Sequence, residues 1–206
     1  MRAMTPRPGF TREGLSMSPD IDVIVIGASQ GGLTSLATLI EGLSDDMAIP
    51  IIVVLHQAKT GINKLPDLLQ PNTRLKIVEA QSHQPLQSGY IYLAPPGYHT
   101  LLEADRTLSL SVDLPVHHSI PAIDVLFESA ADAFGPAVLG VLLTGNSQDG
   151  TVGLGRIKKY AGLAIVQNPE SAIANIMPRS AIENCDVDHI AELKDIAALV
   201  ESICAG

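Results

Sequence analysis

Short apolar runs alternating with helix-length segments constrain this chain more than any other feature. The runs predict strands at 21–26, 50–55, 74–79, 137–143 and 163–167. Helices are predicted at 31–43, 61–70, 121–134, 150–161, 178–184 and 189–203. Pro50-Ile51-Ile52-Val53-Val54-Leu55 and Ala137-Val138-Leu139-Gly140-Val141-Leu142-Leu143 carry no charge, as strands buried on both faces require. Such strands separated by helices imply an α/β fold, with a doubly wound, mostly parallel sheet and helices on both faces. The 206 residues suit one domain with a substantial core. There is no Trp and only 3% aromatic content, so Val, Ile, Leu and Ala must fill that core.

The middle of the chain breaks the pattern. Residues 89–94, 100–103 and 107–110 are short and closely spaced, with a turn expected at Asp105-Arg106. A short antiparallel insert is the expectation there. Asp113 to Ile120, with Pro115 and His117-His118, reads as an exposed loop. Residues 1–20 hold Pro, Arg, Ser and Gly without periodicity and read as a disordered leader, with Met17 an alternative start; the domain is expected over 21–206. The leader lacks the apolar middle of a signal peptide.

A formal net charge of -9 argues against non-specific binding to nucleic acid or anionic membranes. No apolar run approaches the roughly 20 residues of a membrane span. Cys185 and Cys204 have neither metal nor redox spacing, and are expected as reduced thiols of a cytoplasmic protein.

Chemistry concentrates where strands end. Gly27-Ala28-Ser29-Gln30-Gly31-Gly32 lies between an apolar run and a helix-like segment, in the G-x-S-x-G pattern of a nucleophile elbow. In open parallel sheets, ligands bind outside the carboxyl ends of the strands. Ser29 follows the first strand, His56 closes the second, and Asp149 lies in the polar loop after strand 137–143. A nucleophile, a base and an orienting acid would thus share one rim. Each also has an ordinary explanation: Ser29 as a helix N-cap, His56 as a hydrogen-bonded strand end, Asp149 as the cap of helix 150–161. Their common location favours the joint catalytic reading.

Competing readings fit less well. A dinucleotide site wants a second glycine where Ser29 stands, and an acid after the second strand where His56 stands. An ordinary α/β-hydrolase places its histidine last, but His189 is expected at the start of a helix. His117-His118 reads as solvated loop rather than metal site, and His99 as a structural hydrogen-bonder. Ile190, Leu193, Ile196, Ala197, Val200 and Ile203 read as a core-facing stripe of the last helix.

From about Ile21 to Val187 the chain resembles the catalytic domain of the CheB family, the chemotaxis protein-glutamate methylesterases. The motifs that carry the resemblance are Ile26-Gly27-Ala28-Ser29-Gln30-Gly31-Gly32, Val53-Val54-Leu55-His56-Gln57 and Tyr92-Leu93-Ala94-Pro95-Pro96-Gly97-Tyr98-His99. They continue with Ile123-Asp124-Val125-Leu126-Phe127, Leu143-Thr144-Gly145 with Asp149-Gly150, and Met177-Pro178-Arg179-Ser180-Ala181-Ile182. The resemblance puts the family's catalytic residues on Ser29, His56 and Asp149. It implies hydrolysis of glutamyl methyl esters on chemoreceptor cytoplasmic helices, with glutamine deamidation in some members. Backbone amides at Gln30 and Gly31, with the Asn146 loop, are the expected oxyanion or substrate contacts. No cofactor and no metal are implied.

The departures concern the surroundings of these residues. Gln30 replaces a frequent Thr, Asn146 a frequent Met, Ile120-Pro121-Ala122 an Arg-Pro-Ser, and Ala58-Lys59-Thr60 a Pro-Pro-Gly. Some of these features resemble the branch joined to a methyltransferase domain. Typical members carry a receiver domain, for which this chain has no room, so phosphorylation in cis is not expected. A separate response regulator or methyltransferase is the partner expected instead. Two alternatives stand beside the methylesterase: an esterase for another substrate, and a degenerate domain that binds receptors or signalling partners without turnover.

Overall fold

Apolar side chains at almost every position of the central strands send alternate residues to opposite faces, and both faces are buried. The computed structural model describes residues 20–56 and 64–205. In chain order the elements are β1 (Val23–Ala28), α1 (Gly32–Glu41), β2 (Ile51–Leu55), α2 (Leu65–Leu69), β3 (Lys76–Glu79), β4 (Gln84–Pro85), β5 (Tyr90–Leu93), β6 (His99–Leu102) and β7 (Thr107–Ser111). They continue with α3 (Ile123–Phe134), β8 (Val138–Leu142), α4 (Thr151–Lys159), β9 (Leu163–Gln167), α5 (Ile176–Asn184), β10 (His189–Ala191) and α6 (Leu193–Cys204).

The main sheet has seven strands in the order β10-β9-β8-β1-β2-β5-β3, and every pairing in it is parallel. The chain winds outward from β1 to β2 on one side and returns to β8 on the other. The switch point of the topology therefore lies between β1 and β8. Ile24, Ile26 and Ala28 of β1 pack with Leu36 and Leu39 of α1 and with Ile196 and Val200 of α6. Val23 and Val25 face a second cluster with Leu126 and Phe127 of α3 and Leu154 of α4. Helices thus cover both faces, as expected.

The antiparallel insert is a three-stranded sheet, β4-β7-β6. The expectation erred at 89–94: β5 belongs to the parallel sheet, where it pairs with β2 and β3. A second correction concerns 189–203. His189–Ala191 is an edge strand beside β9, and only Leu193–Cys204 is helical. Ile190 accordingly leaves the expected stripe and is exposed, whereas Ile196, Ala197 and Val200 are buried. All but the last residue of the expected leader and the first part of the helix expected at 61–70 lie outside the described residues, as do Ala58-Lys59-Thr60.

His99 is a structural histidine. It is buried, its Nδ1 accepts the Ala122 N–H at 3.2 Å, and its Nε2 donates to the Leu114 carbonyl at 3.2 Å. Those two bonds fasten the 114–122 segment to β6 just before α3 begins. Both cysteines are free. No helix among the described residues is long and apolar enough to cross a membrane.

Candidate active site

Ser29 leaves β1 at its carboxyl end, and its N–H donates to the Thr144 carbonyl at 2.9 Å. The cap of α1 is Gly31 rather than Ser29, with no side-chain capping bond. Gly31 has φ 78, a left-handed conformation that glycine adopts without steric cost. A Cβ there would also fall 2.6 Å from the Cβ of Ile173. The hydroxyl of Ser29 is therefore not consumed as a cap.

His56 follows β2 and stands beside Ser29, because its N–H extends the ladder to the Ala28 carbonyl at 3.0 Å. Its Nε2 lies 2.8 Å from Oδ2 of Asp149. The His56 side chain is 13% exposed and Asp149 is wholly buried. A carboxylate can only accept, so Nε2 carries the proton and Nδ1 is the free ring nitrogen. Ser29, Gly31, Gly32, Thr34 and His56 line one cavity of about 200 Å³.

Asp149 does not cap the helix that follows it, whose cap is Gly150. Its carboxylate instead accepts the amides of Ile123 at 2.8 Å and Asp124 at 2.9 Å, in the first turn of α3. That turn has no side-chain cap of its own, since its N-cap is Ala122. Burial pushes the Asp149 carboxyl up, but the His56 hydrogen bond and the amides of Asp124 and Ile123 outweigh it. The net displacement is downward, and the charged form is held.

Asp124 and Thr144, quoted above only within motifs, prove to organise the site. Asp124 accepts the Gly150 and Gly153 amides of α4 on Oδ1, at 2.9 and 2.7 Å. Its Oδ2 lies 3.1 Å from Nε2 of His117. His117 and His118 are both exposed, as expected of a solvated loop, but His117 is in addition tied to a buried acid. The Thr144 hydroxyl donates to the Gln30 carbonyl at 2.9 Å and accepts the Ala174 N–H at 2.8 Å, stapling the serine turn to the loop before α5. A polar residue directly after the apolar run 137–143 is the only sequence signal for Thr144.

Gln30 and Asn146 are exposed and Gly31 is half-buried. Among the described residues the amides of Gln30 and Gly31 have no hydrogen-bond partner, whereas the Gly145 amide is committed to the Ala174 carbonyl. A Cβ at Gly145 would crowd Met177 Cε at 2.5 Å and Ser29 Cβ at 3.0 Å. His117, Asp124 and Asp149 bring donor atoms within 4.8 Å of one another, a spacing that could hold a cation. Their carboxylate oxygens already accept five backbone amide or imidazole N–H contacts plus the His117 ring nitrogen. The group is a hydrogen-bonded cluster.

Burial, joined by the charge of Asp149, pushes the Asp124 carboxyl from 3.8 to about 6 against the opposing Gly153 amide, His117 and the Gly150 amide. A carboxyl raised in the folded state contributes stability fully present below the unfolded value, lost as pH rises through the folded one. Relative to Asp124→Asn, the wild type is expected to gain about 2–3 kcal/mol as pH falls from 7 to 4. Thermal unfolding of both proteins across that range checks this. A constant difference in Tm would contradict it.

The sequence model described as CheB methylesterase matches residues 24–200. The chain belongs to the CheB methylesterase family. A Leptospira interrogans relative named putative protein-glutamate methylesterase/protein-glutamine glutaminase is 42% identical over 178 residues, covering 86% of this chain and 92% of that protein. The corresponding Clostridium acetobutylicum protein, named without "putative", is 32% identical over 200 residues, 97% of this chain but 58% of that one. The chain thus spans little more than half of that longer relative. The crystal structure of the Thermotoga maritima CheB methylesterase catalytic domain superposes with a TM-score of 0.84 at 29% identity, over 90% of this chain and 98% of that one. The CheB fold is therefore the doubly wound sheet described above.

Proposed function

We propose that this CheB-family chain is a serine esterase that removes methyl groups from glutamyl methyl esters of chemoreceptor helices, and deamidates glutamine at such sites. The observation that carries the reading is the His56–Asp149 hydrogen bond at the rim of the sheet, with Ser29 on the wall of the same cavity. His56 Nδ1 takes the Ser29 proton as Oγ attacks the ester carbonyl. Asp149 holds the tautomer and stabilises the imidazolium that forms. Because the Ser29 N–H is already committed to Thr144, the amides of Gln30 and Gly31 are the donors for the tetrahedral oxyanion, beside the Asn146 loop. Collapse passes the proton from His56 to the departing methoxide, giving methanol; from glutamine, ammonia leaves instead. Water then cleaves the acyl-enzyme with His56 again as base.

Free cysteines fit a cytoplasmic protein of chemotaxis-type signalling. A separate response regulator or methyltransferase is the partner that goes with this reading. A fluorophosphonate probe is expected to label the folded protein at Ser29, and His56→Ala to abolish labelling. Folded wild-type protein that stays unlabelled at every pH would overturn the esterase reading and favour a binding module.

A further inference from the structure

Two helix N-termini meet behind the proposed catalytic pair and cap one another across the chain. Asp149, which precedes α4, accepts the first two amides of α3. Asp124, in the first turn of α3, accepts the amides of Gly150 and Gly153 at the start of α4. Neither helix supplies a side-chain cap from its own N-cap residue, Ala122 or Gly150. Each acid therefore satisfies amides that would otherwise be buried without partners. The exchange is reciprocal: moving either carboxylate releases the helix that carries the other.

We infer that Asp124 is a positioning residue for the reaction, holding the loop that aims Asp149 at His56 and placing a second negative charge behind that pair. The inference rests on the esterase reading above. Asp124 is 3% exposed, and the titratable groups around it come from each element packed there. Asp149 lies on the β8–α4 loop, His117 on the loop before α3, Cys185 after α5, and His56, at the end of β2, beyond Asp149. His117 is the partner through which the buried acid reaches solvent, since its side chain is 41% exposed. The charge matters because an imidazolium develops at His56 in the transition state, and each nearby carboxylate stabilises it.

Asp124→Asn keeps an Oδ1 acceptor for Gly150 and Gly153 but removes the charge; Asp124→Ala removes both. With methyl-esterified receptor fragment as substrate, Asp124→Asn is expected to lower kcat about tenfold and Asp124→Ala about a hundredfold, with KM within about twofold. The acid limb of kcat in the wild type should carry the neutralisation of Asp124 through about 6, a component that Asp124→Asn lacks. A purely architectural role would leave that limb in place. Should Asp124→Ala fail to fold, Asp124→Asn alone decides. An active wild type with Asp124→Asn matching its kcat and pH profile overturns the inference while leaving the esterase intact. A wild type that neither labels with fluorophosphonate nor releases methanol overturns both.

Discussion

Asp149→Ala is expected to cost about 3 kcal/mol of stability and to lower kcat by about 10⁴-fold. The two losses have separate causes. The carboxylate accepts the buried amides of Ile123 and Asp124, and truncation leaves both without partners at the positive end of a helix dipole. It also frees His56 from the bond that fixes its tautomer. Asp149→Asn separates the effects. Asparagine keeps one acceptor for the amides, so its stability cost should be only about 1–2 kcal/mol. Its NH₂ would donate to Nε2 of His56, driving the ring proton onto Nδ1, where it blocks uptake of the Ser29 proton. Turnover should therefore fall about 10⁴-fold in both variants. Chemical denaturation together with steady-state kinetics checks the pair. Near-wild-type kcat in folded Asp149→Asn would contradict the role given to this residue.

The acid dependence of the wild type follows from the same clamp. Asp149 is held below its ordinary value, so its contribution is present above the unfolded value and lost as pH falls through the folded one. Asp124 runs the other way, losing its contribution as pH rises through about 6. Two adjacent carboxylates with opposite displacements are what a charged acid and its buried neighbour produce when only one receives the imidazole of His56.

What could be read from the sequence was whatever a single strand end exposes. Ser29, His56 and Asp149 each follow an apolar run, and parallel winding carries those ends to one rim. The insert was legible as short runs around Asp105-Arg106, but β5 was misplaced because closeness in sequence suggested a hairpin where the strand crosses back between β2 and β3. The three residues of β10 carry too little pattern to separate them from the helix that follows. The Asp124–Asp149 exchange was not legible. Its bonds join residues 25 to 29 apart, and nothing local distinguishes an acid that caps its own helix from one that caps a neighbour. Thr144 was hidden for the same reason, since its hydroxyl bridges Gln30 and Ala174 across 114 and 30 residues.

Methanol release reports ester hydrolysis by Ser29 with His56 and Asp149 without any intermediate readout. Wild type and Ser29→Ala are each given a methyl-esterified chemoreceptor cytoplasmic fragment, with folding of both verified. Methanol is expected from the wild type, with a loss of about 10⁴-fold or more in Ser29→Ala, equivalent to about 5.5 kcal/mol of transition-state stabilisation. Equal methanol release by the two proteins, or none from folded wild type, would contradict it.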